Sequence, residues 1–339
     1  MFLCDVFAAF WFPPCVFCRN VLLWMENLTA VTPLTEPIVF ELEGFYVPPG
    51  FGPFLFFLAL FAYLVVLLGN GVVVCVIVMD KNLHRPMFVM VCHLLVCDLL
   101  GATAVLPHLM MHFLMGQKRI AYTPAITQAF SVHTYGAAVQ TILAAMAYDR
   151  YIAVCEPLRY HTIMTSARLH SCCALAWFFA LLLIAVLFAF HMKVPLCGRT
   201  ILHVYCSNRG ILSLGCIPTP ANDIYGLSMT WTLSTGVFLI VAFSYIRILR
   251  VSLKLDRVCS KAFQTCASHL IVYVVYQIAV LIIVVSYRFP STSPNLKKFF
   301  SMVFIIIPPA INPIIYGLIT KDLRSSIFKQ FTTQVCHKK

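Results

Sequence analysis

Long apolar runs separated by short polar connections dominate the chain. Seven stand out, near residues 53–79, 87–112, 125–150, 171–191, 223–250, 261–287 and 297–319. About 20 helical residues cross the hydrocarbon of a bilayer, so each run is long enough to span, several of them tilted. Backbone polar groups in lipid are satisfied only inside helices or closed barrels. These runs are too long and too continuously apolar for barrel strands. The pattern therefore predicts an all-α membrane protein, a seven-transmembrane helix bundle embedded in the lipid bilayer. No internal repeat is visible, which weighs against a transporter built from repeated halves.

Composition supports that reading. The 339 residues are 61% hydrophobic and 11% charged, with a mean hydropathy of +0.90. The net charge of +12 is scattered between apolar runs rather than gathered into a stripe. It reads as a topology signal and an attraction to anionic headgroups, with no nucleic-acid partner. With the N-terminus outside, 15 of the 24 lysines and arginines fall on the inner side, as the positive-inside rule requires. Asn27, in the chain's single Asn-X-Ser/Thr sequon, then lies on the face where glycosylation occurs. The protein is expected in the plasma membrane, multi-pass, with the C-terminus cytoplasmic.

The opening stretch "MFLCDVFAAFWFPPCVFCRN" carries Asp5, Pro13 and Pro14 and lacks an early basic residue, unlike a signal peptide. The expected organisation is an upstream extension over 1–24 and an extracellular segment over 25–52. A seven-helix transmembrane domain follows over 53–319, then a cytoplasmic tail over 320–339. Among 15 cysteines, Cys197, Cys206 and Cys216 cluster in one polar connection. A disulfide can form there if that loop faces an oxidising compartment.

Costly polar residues inside the spans are functional candidates. Asp98 sits about halfway through the second run, with Asn70 in the first and Asn312 in the seventh as plausible partners. A protonated, purely structural aspartate is the alternative. Asp149 and Arg150 fall at the inner end of the third run. The acid could hold the arginine as a latch, or the pair could be an anchor that snorkels to headgroups. Pro308, Pro309 and Pro313 interrupt the seventh run, which should bend.

Around these residues the chain resembles a known family. "MAYDRYIAVCEPLRY", from Met146, is similar to the signature of odorant receptors, a branch of the rhodopsin-like G-protein-coupled receptors. "GNGVVVCVIVMDKNLHRPMF", "CHLLVCDLL", "SYIRIL", "KAFQTCASHL" and "PPAINPIIYGLITKDLR" match further family motifs in the right order. "MENLTAVT", from Met25, resembles the family's usual start. The resemblance runs from Met25 to the tail. It implies a short cytoplasmic amphipathic helix after the seventh span, a small-molecule odorant as ligand and no cofactor. It also implies a heterotrimeric G protein of the stimulatory olfactory type, raising cyclic AMP.

The resemblance places the coupling and switch set at Asp149, Arg150, Tyr151, Tyr245, Lys261 and Tyr316. Tyr316 is expected to swing toward Arg150 on activation. Lys261 stands near the point where many such receptors carry an acid that clamps the arginine, so Asp149 should supply most of the restraint. The resemblance implies a water- or sodium-filled cluster at Asn70, Asp98 and Asn312, and a Cys197–Cys216 disulfide. It would also pair Cys206 with a cysteine at the top of the third helix. Ala125 stands there instead, which removes a tether normally worth about a few kcal/mol and should weaken surface expression. In the sixth helix "YVVYQIA" departs from the family's Phe-Tyr-Gly, and Gln277 is expected to face the cavity.

Rhodopsin-like receptors bind small molecules between the outer halves of their helices. Working outward from Arg150 by helical turns reaches Gly136, His133, Val132 and Gln128. Polar contacts are expected from His133, Gln277, Tyr225 and Ser228, each of which could instead be bonded to a neighbouring helix. Val132 replaces the aspartate that binds cationic amines in other receptors, so an amine salt bridge is not expected there. His108 and His112 are one turn apart, but two histidines without a third ligand do not make a metal site. Retinal is excluded, because the seventh run has lysines only at its outer mouth, Lys297 and Lys298. A transporter or channel would need a continuous polar path, and an intramembrane enzyme paired acids or a metal set. Neither pattern is present, so the chain is not expected to be an enzyme. A non-functional family member remains the other alternative, given Ala125.

Overall fold

The fold is that of a computed structural model, described for residue 34 and for residues 38–192, 194–254, 259–289 and 292–336. Side chains at 252–265, 288, 318–319 and 331–336 lie outside that description, as do Met25, Asn27 and the 1–24 segment.

Every apolar run forms a helix, and most of the helices extend beyond the run itself, the seventh at its start only. These are α1 (Gly52–Met79), α2 (Pro86–Met115), α3 (Tyr122–Cys155), α4 (Ser166–His191), α5 (Pro220–Lys254), α6 (Cys259–Arg288) and α7 (Pro294–Ile314). The extensions have local causes. Pro53, Pro86 and Pro294 sit in the first turns of α1, α2 and α7, where a missing N–H costs nothing. The Thr165 and Ser293 side chains cap α4 and α7. Gly116, at φ 67°, ends α2 in the left-handed conformation glycine tolerates. Beyond Pro313, α7 widens into a π-turn, Ile315–Ile319, and α8 (Lys321–Cys336) follows. Arg85 pairs with Asp322 at 2.9 Å across an exposed surface, and Ser326 donates to Asp80. These contacts tie α8 to the α1–α2 connection. The Ser326 hydroxyl and the Asn82 amide hold the Asp80 carboxyl below the usual carboxylate range.

Six of these helices are apolar and long enough to cross a membrane: α1, α2, α4, α5, α6 and α7. The third run was expected to qualify too. It carries Gln128, His133, Gln140, Asp149 and Arg150, and α3 packs against α2, α4, α5 and α6. Its polar positions are covered by protein rather than by lipid. Gly101 of α2 lies so close to the Tyr135 ring that a Cβ would come within 2.6 Å of it.

A small sheet on the outer side departs from the all-helical expectation. Strand β1 (Val39–Leu42) pairs antiparallel with β2 (Arg119–Ala121) and parallel with β3 (Thr200–Ile201). The strands are too short and too far apart in sequence to leave a hairpin signal. Phe40 is fully buried beneath them.

Candidate functional site

Two adjoining cavities share part of their lining. The inner one, about 190 Å³, is lined by α3 (Val132, His133, Gly136, Ala137, Gln140), α5 (Met229, Thr230, Leu233), α6 (Tyr276, Val280, Ile283, Val284), Phe304 of α7 and Tyr205 of the outer loop. The outer one, about 220 Å³, shares His133, Tyr205 and Thr230 and adds Asn208, Arg209, Asn222 and Asp223. A third cavity, about 370 Å³, lies between α5 and α6, with Gln277 in its lining.

The wall between α3, α4 and α5 is fixed by a polar hub at Asn208. Its backbone N–H donates to His133 Nε2 at 3.2 Å, and its side-chain amide donates to Asn222 at 2.6 Å. Its side-chain oxygen meets His191 Nδ1 at 3.0 Å, and Asn222 donates to the Leu187 carbonyl. The floor is aromatic. Tyr276 is buried, donates to the Gly136 carbonyl at 2.7 Å, and packs with Tyr135 and Phe304. One position along α6, the Gln277 amide donates to Gln140 at 3.1 Å and Tyr273 at 3.0 Å, while Gln140 donates to Ser234 at 2.9 Å. That node joins α6 to α3 and α5.

Deeper, Asn312 donates to Asp98 Oδ2 at 2.7 Å. Asn70 does not reach Asp98; its amide donates to the carbonyls of Val66 and Pro309. The Asp98 Oδ1 and Asn70 Oδ1 atoms are buried and receive no hydrogen bond among the described residues. At the inner end, the Asp149 carboxylate pairs with Arg150 and accepts from the Tyr160 hydroxyl at 2.8 Å. Burial and the adjacent carboxylate push the Tyr160 phenol above its ordinary range. Tyr245 donates to the Cys266 carbonyl and lies 3.0 Å from His269, whose other nitrogen is 3.2 Å from the Leu143 carbonyl. Tyr316 is buried, its hydroxyl unbonded among the described residues.

The outer mouth is closed by contacts to the N-terminal strand and loop. Lys298, 2% exposed, pairs with Glu43 at 2.7 Å and donates to the Gly44 carbonyl. His203 stands 3.2 Å from Ser301 and against the Tyr205 ring. Burial, then Lys298, push its imidazole down to about 4. Cys197 and Cys216 form a disulfide.

A family model for olfactory receptors matches residues 59–334. The chain belongs to the olfactory receptor family. Olfactory receptor 51E1 of Homo sapiens is 31% identical over 272 residues, covering 79% of this chain and 86% of that receptor. Olfactory receptor 2A25 of Homo sapiens is 31% identical over 299 residues, covering 87% and 95%. The crystal structure of squid rhodopsin aligns with a TM-score of 0.69 at 16% identity, over 86% of this chain and 89% of that one. That likeness shows the seven-helix fold. The family is one of multi-pass membrane receptors, not of enzymes.

The receptor brings Val132, His133 and Gly136 together at the inner cavity, as the helical-turn count expected. Four other expected contacts, at Gln128, Tyr225, Ser228 and Gln277, lie outside the inner cavity's lining. Gln128 spends its side chain elsewhere: its amide donates to the Ala104 carbonyl at 2.8 Å and its oxygen accepts from the Cys206 backbone at 2.7 Å. Tyr225 donates to Leu183 of α4, and the exposed Ser228 donates back to Tyr225, because that face of α5 points toward α4 and the lipid. Gln277 borders the α5–α6 cavity, and Tyr276 takes the central place. The apolar residues on either side of the pair, Val274, Val275, Ile278 and Ala279, do not reveal the rotation within one residue. Cys206 is buried and free, and Ala125, where the resemblance would have a cysteine, is buried as well. Burial pushes its thiol up to about 12. Tyr151 contacts Phe243 of α5. Lys261 lies in α6 but outside the described side chains.

The sequence reading missed Asn208, Asn222, His191, Tyr205 and Thr230. An asparagine and a histidine near helix ends are common capping residues, and nothing in their spacing shows that they converge.

Proposed function

We propose that this receptor binds a small odorant in the inner cavity and, in response, activates a stimulatory olfactory-type G protein that raises cyclic AMP. The observation that carries the reading is the cavity's floor. Tyr276 of α6 bonds directly to Gly136 of α3, one residue from the node that ties Gln277 to Gln140 and Ser234. A ligand seated on that floor bears on the helix-six position at the same moment as it fills the space. It shifts the population toward an open inner end only if it fits that state better.

In this reading Asp149, Arg150, Tyr151, Tyr245, Lys261 and Tyr316 form the coupling surface and switch. Asp149 restrains Arg150 until the G protein's C-terminal helix enters. The Asn70, Asp98 and Asn312 cluster is the hinge beneath the floor. Its two unengaged buried oxygens support the water- or sodium-holding role that the family resemblance implies. The receptor sits in the plasma membrane with its N-terminus outside, Asn27 glycosylated and residues 320–339 in the cytoplasm; residues 1–24 are an upstream extension. The test is a cyclic AMP assay with an odorant panel in cells that display the receptor. Odorant-dependent cyclic AMP that disappears with Arg150→Ala supports the reading. Displayed receptor silent across a broad panel, or signalling untouched by Arg150→Ala, refutes it.

A further inference from the structure

The inner cavity contains no Asp, Glu, Lys or Arg. A cation would find no counter-ion there, and neither would a carboxylate. The charged groups Arg209 and Asp223 line the outer cavity and not the inner one. Within the inner cavity, the donors are almost all spent. The Tyr276 hydroxyl donates to Gly136, the Thr230 hydroxyl to the Gly226 carbonyl at 2.7 Å, and the Gln140 amide to Ser234 and Gln277. Tyr205 is engaged with Ser301.

His133 is different, and its neighbour determines how. The Asn208 backbone N–H can only donate, so His133 Nε2 must accept. An imidazole that accepts at Nε2 is neutral and carries its proton on Nδ1. No group among the described residues takes that Nδ1–H, and His133 borders both cavities. The hub at Asn208 is itself held by His191 and Asn222, so the tautomer is fixed by the fold before any ligand arrives.

We infer that the receptor selects neutral ligands bearing a carbonyl-type acceptor, such as aldehydes, ketones and esters, which receive the Nδ1–H of His133 while their apolar remainder fills the inner cavity. This rests on the reading of the cavity as the odorant site. Selection has two parts. An alkane of the same length leaves the buried N–H unpaired, and an amine or carboxylate pays its desolvation without a partner. The first part corresponds to about tenfold in affinity, and the second to more.

The test uses the purified full chain and reads binding without any G protein, as thermal stabilisation by methyl ketones from methyl propyl to methyl hexyl ketone. Octane, octylamine and octanoate serve as matched probes. The ketones should stabilise at concentrations at least about tenfold lower than the others. His133→Asn, which keeps an N–H near the Nδ1 position, should retain most of the preference, and His133→Leu should lose it while still admitting octane. If octylamine or octanoate stabilises as well as the ketones, or His133→Leu keeps the ketone preference, the inference is wrong and the odorant site stands. If no probe of any class stabilises the receptor, the odorant-site reading fails and takes this inference with it.

Discussion

Replacing Gln128 with leucine should damage this receptor more than its place outside the cavity linings suggests. Gln128 is 6% exposed and Cys206 fully buried. The glutamine oxygen takes the Cys206 backbone N–H at 2.7 Å, and its amide reaches the Ala104 carbonyl at 2.8 Å. The outer loop is thereby pinned to α3 and α2 at the place where Ala125 leaves Cys206 without a disulfide partner. Leucine abandons a buried backbone donor, at a cost of about 1–3 kcal/mol, and a second hydrogen bond worth about 1 kcal/mol. The total, about 2–4 kcal/mol, matches what a disulfide typically supplies. Adding Ala125→Cys to Gln128→Leu offers Cys206 a covalent partner and should recover part of the loss. The assay is the thermal midpoint of purified receptor, alongside surface display measured by flow cytometry. A Gln128→Leu receptor that melts and displays like wild type would show that the amide bonds do not replace the missing tether.

Further outcomes follow from other contacts. Asp149→Ala should raise basal cyclic AMP, because both Arg150 and Tyr160 lose their acceptor; Tyr160→Phe should do so by at most about tenfold, and basal signalling equal to wild type in both would refute the latch. Asn312→Leu removes the one hydrogen bond that the Asp98 carboxyl receives among the described residues and should lower the thermal midpoint by the equivalent of about 1–3 kcal/mol; an unchanged midpoint would count against a structural role for the pair. His203 has its folded value depressed to about 4 from an ordinary 6.5, so it is neutral in the folded loop, and its contribution is complete above pH 6.5 and lost as the pH falls toward 4. Melting scans between those values should show stability declining by up to about 1.4 kcal/mol per pH unit; His203→Phe should flatten that slope, and an identical slope in the variant would exclude this histidine.

The seven helices were legible because twenty-odd apolar residues leave the backbone no alternative in lipid. Residues fixed by the axial repeat were legible too: stepping by turns from Arg150 reached His133 and Gly136 at the cavity wall. Rotation about the axis was not. In α6 apolar residues flank Tyr276 and Gln277 on both sides, so the sequence does not say which of the two faces inward, and the structure turns Tyr276 to the centre. On α5, Tyr225 bonds to α4 and Ser228 to the Tyr225 carbonyl, contacts that the order of residues along the helix does not announce. Contacts between distant polar residues were hidden altogether. Asn208, His191 and Asn222 come from a loop and two helices, and only the packed fold makes them one hub. The outer sheet left no trace because its strands borrow their partners from segments about eighty residues apart.

The composition of α3 has a consequence for how the receptor is made. Its two glutamines, its histidine and its charged inner end are sheltered only after α2, α4, α5 and α6 stand around it. Leaving the translocon alone, it would be the span least content in hydrocarbon. Biogenesis therefore turns on how soon its neighbours arrive, and defects in those neighbours should surface first as a third helix that fails to integrate.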